Sequence, residues 1–231
     1  MDRLVAFSAF LLVAACGLAA RAADVPASAP PKADPDATRF TAEIAAFEAW
    51  DRKNSSPKDA ILFVGSSSIR MWQTAESFPN LPVINRGFGG AQTSDVNHYA
   101  NRIVVKYDPK TVVFYSGDND MAAGKSPEQV MEDIAEFFES IHEELPEAQV
   151  IYLPVKPSLA RWKLWPEMQE TNALVKQYVD GRDYITYVDT ATPMLGSDGQ
   201  PRQDIFLNDG LHMNERGYQL WVDALRGQLA E

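Results

Sequence analysis

Four short clusters in this chain carry side chains able to move a proton or hold a developing negative charge. The first is Gly65-Ser66-Ser67-Ser68-Ile69-Arg70. If a strand ends at the glycine and a helix follows, the turn exposes a hydroxyl beside backbone N–H groups, the setting of a serine nucleophile. Serines opening a helix also serve as caps, and Ile69 stands where the G-x-S-x-G elbow needs its second glycine, so that elbow is excluded. The second cluster, Asn85-Arg86-Gly87-Phe88-Gly89-Gly90-Ala91-Gln92-Thr93, has the glycines that let a backbone turn sharply and aim an N–H at a ligand; a phosphate loop or a merely tight loop shares that composition. In the third, Tyr115-Ser116-Gly117-Asp118-Asn119-Asp120, the Asn119 amide could donate to an oxyanion, or the segment could be a polar turn. The fourth is Asp209-Gly210-Leu211-His212, a spacing that lets a carboxylate fold back onto Nδ1 and leave Nε2 free as a base.

Scarcity narrows the choice of base. The 231 residues contain three His and one Cys, too few for a disulfide framework or most zinc sites. His142 lies among Glu139, Glu143 and Glu144 and reads as solvated helix surface, while His98 in Asp95-Val96-Asn97-His98-Tyr99 reads as structural. Acids stand three residues before all three histidines, but Asp95 and Glu139 do so on expected helices; only His212 has that spacing on an expected loop, where the carboxylate can fold back onto the ring. The formal net charge of -11, without a basic tract, excludes the positive face that nucleic-acid binding requires.

These clusters need elements to hold them. Solid apolar runs at 60–64, 81–84, 111–115, 149–155 and 184–188 suit strands covered on both sides. Helical spacing fills the intervals: Phe40, Ile44, Phe47 and Trp50 share a face, and Ser126-Pro127-Glu128-Gln129 offers an N-cap, a Pro at the first helical position and a Gln at the third. Behind that cap, Val130, Ile134, Phe137, Phe138, Ile141 and Leu145 form a stripe; Asn214 caps a last helix burying Tyr218, Trp221, Val222, Leu225 and Leu229. Strands alternating with helices predict a flavodoxin-like three-layer α/β/α domain on a five-stranded parallel sheet, with ligands beyond the carboxyl ends of the strands. The clusters fall there.

At the other end of the chain, an apolar run at 4–15 after Arg3 has the length of a signal-peptide core and is too short to span a bilayer. Two processing readings stand open: cleavage after Ala22, giving a signal peptide over 1–22, or a lipoprotein signal over 1–15 with Cys16 lipidated as the mature N-terminus. Residues 23–38, rich in Pro and Ala, read as a linker with too little apolar content to order itself, and 39–231 as the folded domain. The expected location is outside the cytoplasm, periplasmic or secreted, with membrane attachment only through Cys16.

Taken together and in this order, a serine after the first strand, a Gly loop after the second, Gly117-Asp118-Asn119-Asp120 after the third and Asp209-x-x-His212 before the last helix resemble the SGNH (GDSL-type) hydrolase family over residues 60–229. The resemblance implies a carboxylic ester hydrolase. Aligning Gly65 with the family's Gly-Asp-Ser block puts Ser67 on the nucleophile, although the block here reads Gly-Ser-Ser-Ser and leaves Ser66 and Ser68 as alternatives. It further implies Gly90, with Gly89 as fallback, and Asn119 as oxyanion donors beside the Ser67 N–H, Asp209 and His212 as the remaining triad members, and no metal or organic cofactor. Trp162, Trp165 and Arg86 are candidate substrate contacts, the two Trp as a sugar platform or acyl-chain wall. The expected substrate is a short acyl ester, such as acetyl on a glycan. Alternatives are a lipid or lysophospholipid esterase, an inactive glycan-binding protein on the same fold, and a flavodoxin-like FMN binder, which would leave Asp209 and His212 without a role.

Overall fold

A computed structural model describes residues 30–229. The expected signal segment, Cys16 and residues 23–29 of the expected linker lie outside the described residues. Five strands, β1 (Ile61–Gly65), β2 (Val83–Gly87), β3 (Thr111–Tyr115), β4 (Gln149–Tyr152) and β5 (Ile185–Tyr187), form one all-parallel sheet in the order β2-β1-β3-β4-β5. The expected α/β architecture is the one found. Among the described residues, eight α-helices accompany the strands: α1 (Thr41–Asp51), α2 (Ser67–Arg70), α3 (Thr74–Ser77), α4 (Thr93–Ile103), α5 (Asp118–Ala122), α6 (Pro127–Glu144), α7 (Trp165–Val179) and α8 (Glu215–Leu229).

The strands are apolar on both sides because each side is covered, and their period of two divides them between two cores. Leu62, Val64, Val112, Phe114, Val150 and Tyr152 face α1, α4, α6 and α7. Ile61, Phe63, Val113, Tyr115 and Ile151 face Trp72, Phe78 and the apolar stripe of α8, where Trp221 is wholly buried. The predicted caps are present. Ser126 Oγ accepts from the Gln129 N–H as half of a capping box with Pro127 behind it, and Asn214 Oδ1 accepts from the N–H groups of Arg216 and Gly217.

Several boundaries differ from the sequence expectation, among them β2, which runs from Val83 to Gly87 instead of over 81–84. Strands β4 and β5 are shorter than their apolar runs, because Leu153, Val155 and Val188 are buried beyond the sheet. The end of the presumed linker is also docked: the Lys32 backbone pairs with the Gln129 side chain, and Asp34 lies 2.6 Å from Lys125 Nζ. Polar bonds hold residues 32 and 34, and Ala37 packs against the core.

The strand order fixes where a site can form. Since β1 pairs with β2 on one side and β3 on the other, the path across the sheet reverses between β1 and β3, opening a crevice at their carboxyl ends. Ser67 follows β1 and Asn119 follows β3.

Candidate active site

Two glycines bring the ends of β1 and β3 together. Gly65 has φ of +140°, and a Cβ there would fall 1.8 Å from the Tyr115 carbonyl oxygen, which accepts the Ser66 N–H at 3.2 Å. Gly117, with φ of +119°, caps α5; a Cβ on it would meet Val155 at 2.8 Å. Both positions need a residue without a side chain.

Of the adjacent serines, Ser66 and Ser68 are buried and Ser67 is partly exposed. Ser67 Oγ lies 2.9 Å from His212 Nε2, and His212 Nδ1 lies 2.6 Å from Asp209 Oδ2. The other carboxylate oxygen of Asp209 accepts the N–H groups of Leu211 and His212, each at 2.9 Å, so the loop holds its own carboxylate against its own imidazole. The hydrogen bond from His212, assisted by those backbone donors, lowers the Asp209 carboxyl to about 2. Asp209 is therefore anionic at neutral pH. The arrangement lets the serine lose its proton to Nε2 while the opposite ring nitrogen stays held, which is what nucleophilic attack by a hydroxyl requires.

The Gly90 and Asn119 segments are interlocked. Asn119 Nδ2 donates to the Ala91 carbonyl at 2.8 Å, and Asp120 accepts the Thr93 N–H at 3.0 and 3.1 Å. Burial pushes the Asp120 carboxyl up to about 6, against the pull of nearby Lys125. Lys125 is buried with Asp133 and Asp34 at 2.6 Å and Asp120 at 3.3 Å; burial alone would depress its ammonium, but these acids raise it well above the ordinary value. Ser67, Arg70, Met71, Gly89, Gly90, Asn119, Arg161, Leu211 and His212 line one open cleft of about 580 Å³. Ser67 is the first residue of α2, so its N–H has no acceptor inside the helix.

The other candidates lie elsewhere. Arg86 is not in the cleft: it is buried under α1, donating to Asp51 Oδ1 at 2.7 Å and to Tyr107 at 2.6 Å, with its guanidinium over the Phe47, Trp50 and Tyr107 rings. Trp165 is a core residue at the start of α7, stacked on Trp162 at 5.9 Å. Trp162 lines a separate depression with Leu159, Pro201 and Arg202, so neither ring forms a wall of the Ser67 cleft. His98 is exposed beside Tyr99, and His142 is exposed and stacked on Tyr184. Arg70 and Met71 were not among the expected residues, although their place in the turn after Ser67 was a signal.

Residues 65–220 match the sequence profile of the GDSL-like lipase/acylhydrolase family, more than half of the chain, and the protein belongs to that family of hydrolases. Solved structures agree in fold. A candidate platelet activating factor from Streptococcus pneumonia is 19% identical, with 83% of this chain and 94% of that one covered and a TM-score of 0.74. A GDSL-like lipase from Bacteroides thetaiotaomicron is 20% identical, with 84% and 97% covered and a TM-score of 0.67. A variant acetyl-xylooligosaccharide esterase from Geobacillus Stearmophilus is 17% identical, with 76% and 96% covered and a TM-score of 0.62. No curated protein sequence matches the chain.

Proposed function

We propose that the protein is a serine esterase whose nucleophile is Ser67, whose general base is His212 and whose orienting carboxylate is Asp209. The observation carrying this reading is the continuous hydrogen-bonded run from Ser67 Oγ through His212 to Asp209, at 2.9 and 2.6 Å. His212 takes the hydroxyl proton as Oγ attacks an ester carbonyl. The tetrahedral oxyanion is then held by the N–H groups of Ser67 and Gly90 and the Asn119 amide. His212 returns the proton to the leaving alcohol, and water repeats the cycle on the acyl-enzyme. Asp209 keeps the tautomer and stabilises the imidazolium. No step calls for a cofactor.

Within the ester class, the reading extends to short acyl groups, acetyl above all, on a glycan or other polar alcohol. It is supported by a cleft open to solvent in which Arg70, Asn119 and Arg161 stand beside the apolar Met71 and Leu211, and by the fold shared with an acetyl-xylooligosaccharide esterase. The apolar segment at 4–15 supports an exported enzyme that meets this ester in the cell envelope or outside it.

A fluorophosphonate probe tests the nucleophile: the native protein should be labelled on Ser67 and Ser67→Ala should not. Labelling of Ser67→Ala would overturn the assignment. A chain-length series of p-nitrophenyl esters tests the acyl group, since a preference for long chains would favour a lipid ester instead. The mass of the mature N-terminus reads the export route: a free amine at Ala23 supports signal cleavage, an acylated Cys16 the lipoprotein.

A further inference from the structure

An asparagine amide is a donor on one side and an acceptor on the other, with nearly the same shape either way round. An oxyanion donor therefore needs something that decides which end faces the reacting carbonyl. Asn119 is held by two groups that each permit one orientation. The Ala91 carbonyl is acceptor-only and takes Nδ2 at 2.8 Å. The Arg161 guanidinium is donor-only and gives its Nη2 hydrogen to Oδ1 at 2.9 Å. Turning the amide over would set Oδ1 against a carbonyl and the NH₂ group against a cation, losing both bonds at once.

We propose that Arg161 is a positioning residue that locks the Asn119 amide with its nitrogen on the side of the Gly90-Ala91 turn, an inference that rests on the reading of Asn119 as an oxyanion donor. Arg161 is itself fixed. Its Nη1 pairs with Asp118 Oδ2 at 2.9 Å, and its backbone N–H donates to Ser158 Oγ. Asp118 is the residue before Asn119, so one guanidinium donates a hydrogen bond to Asn119 and pairs in charge with its neighbour, from a planar group whose orientation is fixed where that of an ammonium is not. Behind Asp118 sits Lys156, fully buried, with Nζ 3.8 Å from Asp118 Oδ2 and 2.9 Å from the Leu211 carbonyl. Burial pulls the Lys156 ammonium below its ordinary value while the Asp118 and Asp209 carboxylates pull it back up, so the charge in contact with the Asn119 amide is that of the Arg161 guanidinium. Arg161 lies 42 residues from Asn119 and reaches it from the loop after β4.

A double-mutant cycle on the full chain tests the lock, with kcat and KM measured separately on p-nitrophenyl acetate. Asn119→Ala should lower kcat about a hundredfold to a thousandfold, the loss of one oxyanion donor. Arg161→Met should lower kcat about tenfold or more with KM within about twofold, and in the Asn119→Ala background should cost less than about twofold further, because a residue acting through another has nothing left to act on. Arg161→Lys, which keeps the charge and loses the fork, should fall between wild type and Arg161→Met and serves the same cycle if Arg161→Met does not fold. An equal kcat loss in both backgrounds would overturn the lock, as would a rise in KM with kcat unchanged, which would make Arg161 a substrate contact. Wild-type kcat in Asn119→Ala would instead overturn the underlying role of Asn119.

Discussion

The two halves of the cleft are held in different proportions. The His212 side is a surface loop tied largely within itself, with two bonds from outside: Asp209 takes two backbone N–H groups from its own turn, the Gly210 N–H reaches the Leu207 carbonyl, and the Leu207 N–H reaches the His212 carbonyl, while Lys156 Nζ and the Ala160 N–H donate to the Leu211 and Gly210 carbonyls. The side chains of His212 and Asp209 remain 22% and 47% exposed. On the Asn119 side the main ties are long-range and buried or part-buried, Asp120 to Thr93, Asn119 to Ala91, and Arg161 to Asp118 and Asn119, with Lys125 buried among its acids nearby. A base must swing protons in contact with water, so its loop can be local and exposed. A donor to an oxyanion works only if it does not reorganise during the reaction, and that immobility comes from buried, many-partnered contacts.

This contrast makes the first, largest prediction one of rate without stability. His212→Ala should lower kcat by about 10⁴-fold or more while its thermal midpoint stays close to wild type, since truncating an exposed loop side chain rarely costs more than about 0.5 kcal/mol. A large drop in midpoint would show that the base loop is not self-contained. On the other half, Asn119→Asp should do more harm than the hundredfold to thousandfold loss expected of Asn119→Ala, in steady-state kinetics, because about the same shape now carries a negative charge. Arg161 would hold one carboxylate oxygen, and the other would face both the Ala91 carbonyl and the developing oxyanion.

Acid tests the same contrast in a different way. Asp209 titrates at about 2 in the folded chain, below its ordinary value of about 3.9, so the stability it contributes is present above about pH 4 and is lost as pH falls toward 2. Loss of esterase activity already complete above about pH 4 cannot come from protonating Asp209. A kcat/KM profile measured beside a thermal midpoint should therefore show activity falling at higher pH than the Asp209 contribution to stability does. Coincident acid limbs would contradict the separation.

What could be read from the residues divides along the same line. Asp209-x-x-His212 was legible because its contacts span three residues, and the strands because unbroken apolar runs meet two cores. Arg86 was misplaced because its neighbourhood in sequence is the Gly loop, yet the pleat puts it on the face of Ile84, two residues earlier, beneath α1. The alternation rule applied from Ile84 would have sent it there, where an acid such as Asp51 had to meet it. Trp165 looked like a rim residue by position, but it begins the stripe continued by Met168, Val175 and Val179. The hold of Arg161 on Asn119 and the docking of Asp34 on Lys125 had no local signal at all: each joins side chains far apart in sequence, and neither follows a period.

That last contact supplies the smallest expected effect. Lys125 Nζ sits among Asp34, Asp120 and Asp133, and only Asp34 comes from the segment preceding α1, with an exposed side chain. The hydrogen bond to Lys125 lowers the Asp34 carboxyl, so its contribution is present above the ordinary carboxylate range and is lost as pH falls through its depressed folded value. Removing it leaves the buried ammonium two acids, and an exposed partner contributes no more than about 1 kcal/mol. Asp34→Ala should therefore shift the thermal midpoint slightly at neutral pH, by less in high salt, and leave kcat unchanged. If kcat instead fell, Lys125 would be carrying the position of this segment through Asp120 to Asn119, and the buried half of the cleft would extend to the docked stretch before α1.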